Sequence, residues 1–301
     1  MRTIIGNLRD YWLLLDKKVL GASVCLITVL IFLNYQFSIS SYLSKRPFSY
    51  CFLSWYFIFL LALSFPYFLQ YSFGQKAMRF KREFLALLLV APSIFAWKMA
   101  SSLNFPISTT KTTNEYWNQV LYWPGKLAVM TTCLWIMWRF FNKEQPFYGT
   151  STKGFKARPY LLMLLIMLPL IAAASTQPDF LAMYPKLKNI SSLIGENEWW
   201  KKLLYELSYG SDFVGIELYF RGFLILAFTK WVGKDAILPM ALFYCTIHFG
   251  KPLGECISSF FGGLILGVVT YHTRTIWGGL LVHLGIAWMM ELGGYIGNQF
   301  F

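Results

Sequence analysis

The chain has 301 residues, of which 56% are hydrophobic, 19% are aromatic and only 14% are charged. Soluble domains carry about 25% charged residues, and the apolar residues here cluster into long runs, so the composition excludes an ordinary soluble protein. The net charge of +13 does not indicate nucleic-acid binding, because Lys and Arg stand at the ends of the apolar runs and form no basic stripe. We therefore predict a polytopic membrane protein that is surrounded by a lipid bilayer and has no nucleic-acid partner.

Nine apolar runs are candidate membrane spans, since a helix needs about 20 mainly apolar residues to cross a bilayer. They predict an all-α fold, a polytopic transmembrane helical bundle of about eight to nine spans. The runs cover residues 18–38, 50–72, 84–100, 124–141, 159–176, 212–231, 234–249, 255–272 and 276–297.

The N-terminal stretch MRTIIGNLRDYWLLLDKK has no small-residue cleavage site, so we expect no removable signal peptide. Lys and Arg are more numerous in the loops on the side of the N-terminus, which predicts a cytoplasmic N-terminus. QKAMRFKRE and KGFKAR are the clearest of these predicted cytoplasmic loops. The five cysteines lie in or beside apolar runs without CxxC spacing, which indicates packing residues, not disulfides or a zinc site.

The chain divides into three predicted segments that differ in polarity. Residues 1–176 hold the N-terminal spans, which carry almost no ionisable groups at depth. Residues 177–211 are polar, and their EWWKKLLYEL portion is typical of an amphipathic helix at the membrane interface. Residues 212–301 hold nearly every polar group predicted to lie inside the membrane. We therefore expect any chemistry in the last third of the chain.

Glu217 and Arg221 lie in the apolar stretch VGIELYFRGFL, four residues apart. This spacing stacks two side chains on one face of an α-helix, where they are able to form an ion pair. One interpretation is a buried pair that only fixes helix packing. Because charged groups at bilayer depth are costly, an intramembrane Glu or Arg is by default a candidate for a functional site, and we favour that interpretation.

Two histidines and two further carboxylates join this candidate site. His248 ends the seventh predicted span, and His283 and Glu291 share one face of the ninth. Glu291 also fits a role near the far interface, and Glu255 fits a favourable charge at the start of the eighth span. Histidine and glutamate activate water as general bases or bind zinc. The residues alone thus indicate a hydrolytic or proton-handling site in a helical bundle, without fixing the reaction class.

The order of the motifs resembles the CPBP family, the CAAX proteases and bacteriocin-processing enzymes that are also called Abi proteins. That family carries Glu-Glu-x-x-x-Arg on one transmembrane helix, Phe-x-x-x-His on the next and a later His-x-x-x-Asn. The corresponding stretches here are IELYFRG, YCTIH and HLGIA. The resemblance covers about residues 205–295 and implies an intramembrane peptidase.

The resemblance also implies roles for individual residues. Glu217 matches the second glutamate, Arg221 the arginine that holds the glutamates, and His248 the histidine that activates water with the first glutamate. His283 matches the last histidine, an oxyanion donor. The family's chemistry has two interpretations, a glutamate peptidase or a metalloprotease. In the second, His248 and His283 would bind a divalent metal such as zinc.

Two positions depart from the family pattern. Ile216 stands at the first glutamate, and Ala287 stands at the asparagine. Loss of a general base or an oxyanion donor each removes a factor of about 10²–10⁴ in rate. In one account Glu217 itself serves as the base. In a second, Glu255 or Glu291 supplies the missing carboxylate.

We predict an active endopeptidase, a hydrolase of peptide bonds in a protein or peptide substrate in or at the membrane. The alternative is a catalytically impaired family member that acts as a membrane scaffold or an immunity-type factor. A proton-coupled transporter is disfavoured, because transporters usually carry repeated halves and none is visible here. The resemblance and the placement of positive charge together predict a location in a bacterial inner membrane.

Overall fold

A computed structural model of the chain describes residues 2–73, 81–195 and 197–300. Most of the predicted loop QKAMRFKRE lies outside these residues. Within them every regular element is helical, which confirms the predicted all-α class. The α-helices are α1 (Arg2–Leu14), α2 (Lys17–Phe37), α3 (Ile39–Ser44), α4 (Phe48–Phe73), α5 (Arg82–Ala100), α6 (Lys111–Met137), α7 (Arg158–Ala174), α8 (Pro178–Met183), α9 (Trp199–Glu217), α10 (Thr229–Val232), α11 (Ile237–Thr246), α12 (Leu253–Thr273) and α13 (Trp277–Phe300). Two π-helices, Trp138–Asn142 and Leu218–Ala227, and three short 3-10 helices, Phe147–Gly149, Lys186–Leu193 and Gly233–Ala236, complete the set in the described part.

Six helices in the described part of the chain are long and apolar enough to cross a membrane. α7 and the segment Pro178–Leu193 pass the same criterion as a pair bent by 97°, which gives a seventh span if the pair counts as one. The predicted class, an integral membrane protein, is therefore confirmed, but about eight to nine spans was too high. The six are α2, α4, α5, α6 with its π-helical continuation to Asn142, α12 and α13.

The count falls because the predicted spans 212–231 and 234–249 do not form single long apolar helices. α9 carries several charged residues and continues as the π-helix Leu218–Ala227, whose side chains are all buried. α11 has only 10 residues, so it is about 15 Å long, half the thickness of a bilayer's hydrocarbon core. A continuous apolar run is compatible with a membrane span and with a helix buried in the protein, and the pattern alone does not distinguish the two.

The chain folds as two compact units, each built from separate stretches of sequence. Unit 1 comprises Met1–Ser101, Leu134–Ser151 and Tyr219–Ile276, and unit 2 comprises Ser102–Cys133, Thr152–Leu218 and Trp277–Phe301. The division predicted from polarity, at residues 176 and 211, stays a prediction.

The core of unit 1 is a cluster of aromatic rings from four elements. The rings of Phe59 (α4) and Phe243 (α11) have centroids 4.6 Å apart, and those of Phe95 (α5) and Phe220 (π-helix) lie 5.1 Å apart. All four side chains are buried. Such ring pairs contribute about 0.5–1.5 kcal/mol each beyond the burial of their area. The cluster therefore fixes the position of the π-helix Leu218–Ala227, which carries Arg221.

Within unit 1 the segment from residue 234 to residue 251 runs alongside α2. At one end Lys234 Nζ donates to the carbonyl of Leu14 at 3.1 Å. At the other end the Tyr35 hydroxyl donates to the carbonyl of Lys251 at 2.6 Å, and Asn34 Nδ2 donates to that of Phe249 at 2.8 Å. These contacts fix the depth of the segment that carries His248.

In unit 2, α13 packs along α7 and α9, and α9 in turn packs on α6. A methyl group on Gly285 of α13 would lie only 2.6 Å from Leu164 Cδ1 of α7, so a larger residue there would displace the Leu164 side chain. The Ser208 hydroxyl of α9 donates to the carbonyl of Val120 in α6. A buried cluster joins α6, α9 and the 3-10 helix that follows α8; its members are Tyr116, Val120, Ile190 and Tyr205.

Candidate functional site

Two of the predicted site residues meet in unit 2. Glu217, the last residue of α9, and His283, on α13, approach to 3.1 Å between Oε1 and Nδ1. The carboxylate is fully buried, whereas 13% of the imidazole surface is exposed. A buried charge is tolerated only with a close partner, and His283 supplies one for Glu217.

This contact orients the imidazole. With Glu217 ionised, its carboxylate only accepts hydrogen bonds, and the Nδ1 of His283 is then the donor. In the neutral ring the other nitrogen, Nε2, then carries the lone pair. A carboxylate that orients an imidazole in this way and stabilises its protonated form is the arrangement found in hydrolytic triads.

Gly279 and Phe213 shape the surroundings of this pair. A methyl group on Gly279 of α13 would overlap Glu217 Oε2, so the carboxylate occupies space that only glycine leaves open. The Phe213 ring of α9 meets the His283 ring edge to face, with centroids 4.6 Å apart. Both contacts restrict the pair to one arrangement.

The other two predicted site residues lie in unit 1. Arg221, in the π-helix, is fully buried, and its guanidinium carbon lies 4.2 Å from the centre of the Tyr244 ring. A buried arginine over an aromatic ring gains about 2 kcal/mol or more from the cation–π interaction. The Tyr244 ring also contacts the His248 ring, with centroids 4.7 Å apart. Tyr244 therefore connects Arg221 to His248, a contact that sequence spacing did not reveal.

His248 is oriented in the same sense as His283. Its Nδ1 lies 2.9 Å from the backbone oxygen of Tyr244. A carbonyl oxygen only accepts, so Nδ1 carries the hydrogen and a neutral ring presents the lone pair of Nε2. Each histidine thus has its Nδ1 held by an oxygen.

The two candidate substitute carboxylates have structural partners. Glu255 Oε1 lies 3.5 Å from Lys251 Nζ, in an i, i+4 pair at the start of α12. Glu291 accepts the backbone N–H of Lys186 at 2.9 and 2.7 Å and that of Leu187 at 3.4 Å. Glu291 therefore holds the start of the 3-10 helix Lys186–Leu193, which fits end-capping. Their assignment as catalytic substitutes stays a prediction.

The two departures from the motif are packed positions. Ile216 on α9 and Ala287 on α13 are both buried. Among the residues that the structure describes, no group of three or more His, Cys, Asp or Glu side chains is placed to hold a metal ion. A zinc site needs at least three protein ligands. The assignment of a divalent metal to His248 and His283 stays a prediction.

Sequence reasoning missed Glu206, which looked like an ordinary polar residue of the amphipathic EWWKKLLYEL stretch. It lies on α9 in unit 2, outside the candidate spans. Burial, and to a smaller extent the charge of Glu291, raises the pKa of Glu206 from its ordinary value of 4.5 to about 7. The position of Glu291 near it was not readable from the sequence, since the two are 85 residues apart.

This shift predicts how stability depends on pH. Because the folded state raises the pKa of Glu206, it binds the proton more tightly than the unfolded state does. The contribution of Glu206 to the free energy of unfolding is therefore complete below pH 4.5. It declines as the pH rises to about 7 and is constant above that. The slope in that window corresponds to at most one proton, about 1.4 kcal/mol per pH unit.

Thermal unfolding in detergent from pH 4 to 8.5 should show this decline in the wild type and lose it in Glu206→Gln. Glu115→Gln removes an exposed carboxylate of α6 and should keep it; an unchanged slope in Glu206→Gln would contradict the prediction.

A sequence comparison with protein families places this region. Residues 207–289 match the family model described as type II CAAX prenyl endopeptidase Rce1-like. No match was found among curated proteins, and none among solved structures. The matched stretch contains all three motifs, from Ile216 to Ala287, and it begins in α9 and ends in α13. Residues 207–289 of this integral membrane protein are therefore similar to the CAAX protease family, in agreement with the resemblance of the three motifs.

Proposed function

We propose that the chain is an intramembrane endopeptidase that hydrolyses peptide bonds in a membrane-associated protein or peptide. The observation that carries the proposal is the hydrogen bond of 3.1 Å between buried Glu217 and His283. A protease family match over the same residues supports it. Burial at this depth is costly, and a side-chain pair with no chemical role could be replaced by apolar residues at little or no cost.

The orientation of His283 favours a role as the general base. Its Nε2 would take a proton from a water molecule while the water oxygen attacks the peptide carbonyl carbon. Glu217 would hold the ring and stabilise the imidazolium that forms. The imidazolium would then return the proton to the nitrogen of the leaving amine as the carbon–nitrogen bond breaks. The base role differs from the oxyanion role that the family resemblance implies for His283.

The family resemblance implies roles for two residues of unit 1, His248 and Arg221. His248 would help to activate the water, since its Nδ1 donates to the Tyr244 carbonyl and the lone pair of Nε2 is able to accept a proton. Arg221 would act as a positioning residue, because it contacts the Tyr244 ring whose backbone oxygen orients His248. The family resemblance adds that Arg221 also holds the glutamate.

We further infer a bacterial inner membrane as the location, with a cytoplasmic N-terminus, from the placement of Lys and Arg in the loops. The competing function is a family member that binds a membrane partner without cutting it. Buried Ile216 and Ala287, where the family has a glutamate and an asparagine, are the observations that favour this alternative.

Incorporation of heavy oxygen tests whether the chain is a hydrolase. The purified full-length chain in proteoliposomes would be incubated with a detergent extract of membrane proteins in water enriched in oxygen-18. Hydrolysis should generate new C-terminal carboxyl groups that carry the label, detected by mass spectrometry. The control contains the same liposomes without the chain. If no labelled termini exceed the control, the hydrolase assignment is wrong and the binding alternative takes its place.

A further inference from the structure

Unit 1 contains an open cleft of about 490 Å³ that the proposed chemistry does not use. Its walls come from α10, from the end of α12 and from the loop after the π-helix Trp138–Asn142. The charged residues at its rim are Lys230, Arg274 and Glu144. Tyr271 and Thr229 add hydroxyl groups to the lining. The cleft therefore offers several hydrogen-bond donors to one ligand.

The two cations of the cleft are held in place by its own structure. Arg274 ends α12 in the left-handed conformation, with φ at 57°, and its Nη1 donates to Thr229 Oγ1 at 3.2 Å. Lys230 Nζ donates to the carbonyl of Phe141 and lies 3.4 Å from Glu144 Oε1. Ordered cations lose less conformational entropy when they bind a ligand than mobile surface chains do.

The ends of two candidate spans indicate the depth of the cleft relative to the membrane. Two candidate spans end beside it, Lys111–Asn142 next to Glu144 and Leu253–Thr273 next to Arg274. Phe140, in the last turn before the cleft, is 76% exposed. Exposed aromatic residues at the end of a span are typical of the boundary between acyl chains and headgroups.

More positive charge surrounds the rim of unit 1. Arg139 and Lys143 are exposed in the same span end and loop. Lys230 of α10 and Lys234 of the 3-10 helix Gly233–Ala236 add two further positive charges, and Arg274 adds one directly after α12. We expect these residues to lie on the cytoplasmic side, because cytoplasmic loops carry an excess of Lys and Arg. Basic clusters next to membrane spans attract anionic lipids, at about 1 kcal/mol per Lys or Arg.

We propose that this cleft binds the headgroup of an anionic phospholipid, with Arg274 and Lys230 on the phosphate. The Tyr271 hydroxyl donates to a headgroup oxygen, Thr229 orients Arg274 by accepting from its Nη1, and the exposed Phe140 lies against the acyl chains. The proposal does not depend on the proposed peptidase activity, since none of these residues belongs to its machinery.

Native mass spectrometry tests the site on the purified full-length chain. The chain would be equilibrated in mixed micelles of equal phosphatidylglycerol and phosphatidylcholine, and retained lipids would be counted. We expect the wild type to retain phosphatidylglycerol preferentially. Arg274→Gln and Lys230→Gln should each lower this retention about fivefold. Lys143→Gln removes an exposed cation that does not line the cleft, and its retention should stay within about twofold of the wild type.

Glu144→Gln distinguishes the sign of the ligand's charge. Removal of a carboxylate from the rim should raise the retention of an anionic headgroup. A fall would mean that Glu144 binds a cationic group of the ligand, which would overturn the assignment to an anionic lipid. Equal retention of the two lipids by the wild type, or equal loss in Lys143→Gln and Arg274→Gln, would also overturn it.

A comparison with inorganic phosphate tests whether the ligand of the cleft is a lipid headgroup or a soluble phosphate. Thermal unfolding would be followed in neutral detergent, either with 10 mM inorganic phosphate or with added phosphatidylglycerol. The phosphate concentration is about ten times the dissociation constant of a typical weak site. The proposal predicts stabilisation by the lipid and little by phosphate; equal stabilisation would assign the cleft to soluble anions instead. Arg274→Lys keeps the charge, so it should retain more phosphatidylglycerol than Arg274→Gln. If Arg274→Gln unfolds at a lower temperature without lipid, the comparison between Arg274→Lys and the wild type decides.

Discussion

Substitution of Glu217 by Gln is expected to lower the rate of peptide hydrolysis by about 10²–10⁴-fold. Glutamine has the same shape and still accepts a hydrogen bond from His283 Nδ1, so the fold and the ring orientation should survive. What is lost is the negative charge that stabilises the imidazolium during proton transfer. The rate would be measured as the formation of labelled C-termini in proteoliposomes.

Glu255→Gln is the matched control for this variant. Glu255, in the first turn of α12, is also a carboxylate within residues 207–289, but its Oε1 lies 3.5 Å from Lys251 Nζ. We expect its rate to stay within about threefold of the wild type. If instead Glu255→Gln is inactive and Glu217→Gln is active, the missing carboxylate of the motif is Glu255 and the roles assigned to Glu217 and His283 are wrong.

Substitution of His248 by Asn is expected to lower the rate by about 10²-fold or more while the fold is kept. The Asn side-chain amide reaches the position of the imidazole Nδ1 and is able to donate to the Tyr244 carbonyl, as His248 does at 2.9 Å. It has no atom in the place of Nε2. The variant therefore separates the structural contact of His248 from its chemical contribution.

His248→Ala provides the comparison, because it removes both contributions. We expect His248→Asn to unfold near the wild-type temperature and His248→Ala to be less stable by about 1–3 kcal/mol, the cost of a buried carbonyl without its donor. Both should be inactive. Wild-type activity in His248→Asn would mean that His248 is only a polar cap at the end of its helix, which was the simpler interpretation of a lone histidine there.

Glu217 and His283 could be selected from the sequence because burial of ionisable groups in apolar runs is costly and requires a reason. Their motif spacing then identified the family before any geometry was known. Their hydrogen bond could not be predicted, since it joins helices that are 66 positions apart in the chain. The same holds for Gly279, which looked like one of many packing glycines and leaves the space that the Glu217 carboxylate occupies.

The span count failed for a physical reason that sequence patterns do not resolve. Residues 218–228 are all buried and, apart from Arg221, apolar or glycine, and a membrane span would give the same pattern. Glu291 illustrates a different limit. It lies on the same helix as His283, α13, but its backbone partners, Lys186 and Leu187, come from a segment whose 97° bend no periodicity indicates.

The most direct test of catalysis compares peptide termini in membranes from cells that produce the wild-type chain or Glu217→Gln at equal levels. The termini would be enriched and identified by mass spectrometry, with cells that lack the chain as the baseline. Our account predicts new termini in membrane-associated proteins with the wild type and baseline termini with Glu217→Gln. Identical termini in all three samples, with the variant fully inserted and folded, would contradict the peptidase and leave a membrane-binding protein built on a protease fold.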